Sequence, residues 1–189
     1  MKKLSLIVFL FFMLSSAMAQ QADSAAGKTR IVDGVAMQSS RNMYDNLSRS
    51  PEFSTLITAI DSAGLKNALS TGSITFLAPS NKAFEKLQPG YLDTLLKPAH
   101  RTELINLLNN HIITGRFTSK DLARLIKENN GQTVFTTAAD GKLTASINEN
   151  RNIVLTDEND GQSVISRFDI EESNGILDIV TTVLVPGIK

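Results

Sequence analysis

The chain has 189 residues, of which 42% are hydrophobic, with 19 basic side chains set against 19 acidic ones. So even a balance lacks the basic excess that a nucleic-acid-binding surface requires. Cysteine is absent, which excludes disulfides, thiol catalysis and an acylated N-terminal cysteine, so the fold must stand on its apolar core.

The first residues read as a secretory signal peptide. Lys2 and Lys3 give a positive start, Leu4 to Leu14 an apolar run, and Ala17-Met18-Ala19 a small-x-small cleavage site. The run is shorter than the ~20 residues that span a bilayer, and no later stretch is long and apolar enough to do so. Residues 1–19 are expected to be removed, leaving an exported protein, periplasmic or extracellular, that starts at Gln20. Without Lys2 and Lys3, 17 basic residues face 19 acidic ones, a net charge of −2. Residues 20–40 are expected to form a flexible lead and residues 41–187 a single domain of about 150 residues, enough for a sizeable core.

Helical punctuation dominates the first half. Ser50 suits an N-cap and Pro51 the first helical position; Phe53, Leu56, Ile57 and Ile60 then recur at helical spacing until Gly64 supplies a left-handed stop. Residues 74–78 form a short strand that Pro79 ends, after which Ser80 caps a new helix with Ala83, Phe84 and Leu87 facing inward, a strand-to-helix corner. A long helix is expected from Pro98 to Ile112, with Leu104, Leu107, Leu108 and His111 on one stripe. Another starts at Thr118, where the spacing to Asp121 resembles a capping box, and buries Leu122, Leu125 and Ile126 before Asn129-Asn130-Gly131 ends it.

From Gln132 the period changes to two. Asp140-Gly141 between residues 133–137 and 143–147 signals a hairpin; residues 152–156 and 163–170 give further strands, and residues 176–185 one or two more before Pro186. Helices followed by strands argue for an α+β domain with an antiparallel sheet.

Four stretches also carry a family likeness. "TFLAPSNKAF" (residues 75–84) resembles the first signature of the fasciclin domain, T-V-F-A-P-T-N-x-A-F, and "NGILDIVTTVLVP" (residues 174–186) resembles the second, N-G-V-I-H-V-I-D-x-V-L-x-P. Between them "LLNNHIITGRFTSKDL" is similar to the family's central L-x-x-H-V-V-x-G-x-x-x-x-x-D-L segment, and "STLITAIDSAGLKNAL" to its leading helix, so the likeness runs over residues 42–186. It implies a wedge or sandwich of mainly antiparallel strands flanked by several helices, and a place among adhesion and matrix proteins. The sequence departs from the pattern at Asn110, where Tyr is frequent, at Asp178 in place of His, and at Thr181 in place of Asp.

The chain has no G-x-S-x-G elbow, glycine-rich phosphate loop or H-E-x-x-H pair, and its histidines are His100 and His111 alone. No catalytic residue, metal or cofactor is expected. His111, amid Leu107, Leu108 and Ile112, reads as a buried imidazole hydrogen-bonded near a helix C-terminus. "DENDG" (residues 157–161) has Gly161 fifth rather than sixth and so departs from a calcium loop; it reads as a polar turn. The resemblance associates an Asp-Ile pair just before the Asn-Gly signature with integrin contact, and Asp169-Ile170 occupies that place. Strand alternation with Val164, Ser166 and Phe168 instead puts Ile170 in the core and Asp169 outward beside it.

Asp169, Ile170 and His111 are thus the candidate binding residues. The expected function is a non-enzymatic, exported interaction or adhesion module, a monomer or weak oligomer, that binds protein or glycan partners of the envelope or matrix. The alternative is a carrier of an apolar small molecule held between helices and sheet, as pigment binding by some fasciclin-like proteins implies.

Overall fold

The computed structural model describes residues 27–187. The expected signal peptide and its cleavage site lie outside the described residues.

Strands β1 (Thr29–Val32) and β2 (Val35–Gln38) form a hairpin where a flexible lead was expected. Two forces explain the difference. Asp33 and Gly34 both adopt positive φ, 46° and 82°, as a tight primed hairpin turn demands, and Val32 and Met37 are buried in the main core. Helix α1 (Met43–Leu47) follows, capped by the Asn42 side chain, which accepts from the Asp45 N–H at 2.9 Å. Helix α2 (Ser54–Ala63) is entered through a 3-10 turn at Pro51–Phe53 and stops at Gly64, whose φ is 75°.

The corner forms as the sequence suggests: β3 (Ile74–Pro79) runs into α3 (Asn81–Phe84), with Ala83 and Phe84 buried. Neither Ser50 nor Ser80 caps with its side chain. The structure gives that task to Asn81, which accepts from the Thr55 N–H at 3.0 Å and donates to the Pro51 carbonyl at 2.9 Å, tying the start of α2 to the corner.

Helices α4 (Tyr91–Leu95) and α5 (Arg101–Asn109) complete the helical layer, α5 being preceded by a 3-10 turn at Pro98–His100. The helix expected up to Ile112 therefore ends earlier. Ile112–Thr114 is strand β4, antiparallel to β3 with Phe76 opposite Ile112. Two adjacent β-branched residues with a buried strand to pair against favour the ladder over another helical turn. Helix α6 (Ser119–Glu128) starts with the expected capping box between Thr118 and Asp121.

Strands β5 (Gln132–Thr136), β6 (Lys142–Ile147), β7 (Ile153–Thr156), β8 (Gln162–Glu172) and β9 (Gly175–Val180) finish the chain. The seven-stranded sheet has the order β4-β3-β9-β8-β7-β6-β5. All pairs are antiparallel except β3 with β9, which run parallel from Ile74 opposite Gly175 to Pro79 opposite Val180. A bridge from Ile113 to Thr137 brings the two ends together, so the sheet nearly closes.

The sheet has a core on each face. Helices α1 to α5 pack on one side over Phe53, Leu56, Phe76, Leu104 and Leu177. Inside the curl, Leu77, Phe135, Leu143, Leu155 and Ile165 meet Leu122 and Ile126 of α6. Gly175 is required at the start of β9, because a Cβ there would overlap the Ile74 carbonyl oxygen. Asn174 beside it bridges the layers, accepting from Met43 N–H at 3.0 Å and donating to the Leu69 carbonyl at 3.1 Å. The architecture is the α+β arrangement expected, mainly antiparallel strands flanked by helices.

Candidate functional site

Asp169 and Ile170 lie on a break in β8. Its pairing with β9 shifts twice, between Ile165 and Arg167 and again between Arg167 and Ile170. Each shift re-phases the strand. Alternation from Val164 is accordingly lost: Ile165 is buried, Val164 and Phe168 are half-buried, and Ile170 is buried in the helix-side core. Ile170 is inside as expected, but through the bulges rather than through an unbroken strand.

Asp169 is not a free outward carboxylate. Its φ is 58°, in the left-handed region that Asp tolerates better than most side chains. From there its oxygens accept from the backbone N–H of Ser119 at 2.6 Å and from the Ser119 hydroxyl, at the first turn of α6. This position favours a negative charge, since the first-turn N–H groups have no partner within the helix. The Asp169 N–H donates in turn to Asp178 Oδ1 at 2.9 Å. Arg30, from the N-terminal hairpin, donates to the carbonyls of Phe168 and Asp169, and Lys28 pairs with Glu171 at 2.8 Å.

Two carboxyls near this edge are buried with one oxygen unpartnered each, Asp178 Oδ2 and Glu172 Oε1. Burial pushes the Asp178 carboxyl up to about 7, against the opposing effect of the Asp169 N–H; the nearby Asp169 charge raises it and Arg30 lowers it. Burial likewise pushes Glu172 up to about 8, opposed by its hydrogen bond from Asn46.

His111 belongs to a separate network. Its Nε2 accepts from the Leu184 N–H at 3.0 Å, which leaves Nδ1 to donate to the Leu107 carbonyl at 2.8 Å. Both ring nitrogens are satisfied. Burial holds its pKa down to about 4, although the Leu107 carbonyl and Asp157 act the other way. The same C-terminal segment is strapped by Asp157, whose carboxylate accepts from Val185 N–H at 2.9 Å, Gly161 N–H at 2.8 Å and Asn159 N–H at 2.9 Å. The "DENDG" stretch is the turn between β7 and β8, and it also fastens the end of the domain. Of the three candidate binding residues, only Asp169 reaches the surface; Ile170 and His111 are each 1% exposed.

A groove that single-sequence reading missed lies where the two signature strands end. It has a volume of about 370 Å³ and is lined by Ser80 and Lys82 at the corner, Lys86 after α3, Arg167 on β8, Ile179 and Val180 at the end of β9, and Thr181 just after it. The parallel pairing of β3 with β9 brings "APSNK" and "DIVTT" side by side. Their recurrence as signatures was the available signal; the parallel register that joins them was not.

The fasciclin domain family is matched over residues 51–186. Protein sll1483 of Synechocystis sp. is 27% identical over 165 residues, 84% of this chain and 81% of that protein. Transforming growth factor-beta-induced protein ig-h3 of Sus scrofa is 28% identical over 162 residues, which is 85% of this chain but only 22% of that longer protein. Among solved structures, the FAS1 domain pair of the insect cell adhesion molecule fasciclin I superposes with a TM-score of 0.66 at 19% identity, over 79% of this chain and 51% of that one. The likeness to that pair is one of fold.

Proposed function

The chain belongs to the fasciclin domain family, and from that membership we propose that it is an exported, non-enzymatic interaction module that binds a protein or glycan partner of the envelope or matrix through its surface. The observation that carries this reading is the extent of the match, which takes in both signatures and the fold between them. Fasciclin domains occur in adhesion and extracellular matrix proteins. Among the described residues no helix is long and apolar enough to cross a membrane. The groove at the corner opens at the surface and is rimmed by Lys82, Lys86, Arg167 and Glu52.

Glycan arrays and surface binding to purified envelope or matrix proteins test this with the exported chain. A saturable partner with a dissociation constant of about 1 μM or tighter is expected. Failure to bind any of these would overturn the reading. Export itself is tested by mass spectrometry of material outside the cytoplasm, which should start at Gln20; an intact Met1 would rule out cleavage.

A further inference from the structure

Ser80 is 7% exposed, and its hydroxyl has no hydrogen-bond partner among the described residues. It lines the groove beside Lys82, whose ammonium is exposed and likewise carries no hydrogen bond or ion pair. Lys86 is fixed close by, donating to the Thr181 carbonyl at 2.7 Å, with two further N–H donors left over. Arg167 completes the lining, clamped by Asp33 and standing 3.8 Å from Glu52. Three cations against these two acids leave one net positive charge.

We propose that this groove binds an acidic glycan, with the carboxylate of a uronic acid residue between Lys82 and Lys86 and the sugar hydroxyls on Ser80, Ser166 and Thr181. This rests on the interaction-module reading and names its ligand class. A single excess charge matches one carboxylate per sugar ring. The hydroxyls interleaved with the cations match a ligand that carries several hydroxyls beside its charge. Ser166 Oγ donates to the Ile179 carbonyl and so remains an acceptor, while Thr181 Oγ1 accepts from the Val164 N–H and so remains a donor. The volume, about 370 Å³, falls within the ~300–1,000 Å³ of small-ligand sites. An acidic peptide fits less well. β3 is flanked by β4 and β9, and β9 by β3 and β8, so neither strand offers a free edge on which a peptide backbone could add.

Calorimetric titration of the exported chain with trigalacturonate tests the proposal, beside an uncharged trisaccharide, inorganic phosphate and a glutamate-rich peptide of equal charge. Trigalacturonate should bind at least about tenfold more tightly than each of the other three, and more weakly as salt rises, as expected of exposed charges. Lys82→Glu, at an exposed position that leaves melting unchanged, should weaken it at least tenfold, and Ser80→Ala should weaken it about three- to tenfold. Absence of trigalacturonate binding would overturn the proposal. Equal affinity for the uncharged sugar would do so as well. So would phosphate binding as tightly, which marks a simple anion site, or the peptide binding as tightly, which marks a protein site. Unchanged affinity in Lys82→Glu would place any uronate site elsewhere. If the arrays yield a different partner that Lys82→Glu still binds, this groove assignment fails while the interaction-module reading stands.

Discussion

Replacing Asp169 by Ala should destabilise the domain by about 2–4 kcal/mol. The figure comes from two losses. The carboxylate supplies the first turn of α6 with an acceptor for the Ser119 N–H at 2.6 Å, and loss of such a cap costs about 0.5–2 kcal/mol. It also bonds the Ser119 hydroxyl, and a hydrogen bond to a charged group contributes about 1.5–3 kcal/mol. The two overlap, since both belong to one carboxylate, so the sum is an upper bound. Ala also tolerates a φ of 58° less well than Asp, at a further cost of roughly 1 kcal/mol. Two companions separate these contributions. Asp169→Gly removes the backbone strain but not the lost acceptors, and Asp169→Asn keeps an acceptor and a left-handed preference. Urea unfolding at constant m should rank them wild type, Asn, Gly, Ala in falling stability. If Asp169→Ala stays within about 0.5 kcal/mol of wild type, the usual range for a solvated surface site, then the carboxylate does not hold α6 and the described role is wrong.

Phe84→Ala should cost about 3–5 kcal/mol by thermal melting, because its ring is 6% exposed in the helix-side core and nothing small can fill the space. Ile170→Ala should cost about 2–5 kcal/mol for the same reason, read by urea unfolding. The buried carboxyls give a pH dependence with a definite sign. Asp178 and Glu172 have folded pKa values of about 7 and about 8, above their ordinary values of 3.8 and 4.5, so the folded chain keeps protons that the unfolded chain has lost. Their contribution to stability is fully present below about pH 4 and falls as pH rises through about 7 and about 8, by ~1.4 kcal/mol for each pH unit over which only the folded chain holds the proton. Unfolding free energies measured from pH 4.5 to 8.5 should flatten in Asp178→Asn and Glu172→Gln; profiles parallel to wild type would show that these carboxyls are ionised in the fold.

What the sequence made legible was local. Pro79 and the apolar spacing after it announce the corner, Thr118 and Asp121 announce the start of α6, and His111 among leucines announces a buried ring. What it concealed depends on partners far along the chain. Asn81 serves the start of α2, 26 residues earlier, and Asn174 serves Met43, 131 residues earlier; nothing near either asparagine signals its partner. The phase of β8 was hidden because counting by twos presumes an unbroken ladder, and Asp169 sits at a bulge. Asp33-Gly34 was a readable hairpin signal, yet composition alone made residues 20–40 look like a lead. The groove required the parallel register of β3 and β9, which connects strands about 100 residues apart in sequence.

The central claim is that this chain binds a partner and leaves it chemically unchanged. The most direct measurement is native mass spectrometry of the exported chain with the partner or sugar it captures, followed by mass analysis of that ligand after prolonged incubation. The account predicts a saturable complex and a ligand recovered at its original mass. A ligand cleaved, transferred or otherwise altered in mass, at a rate that follows the protein concentration, would contradict it.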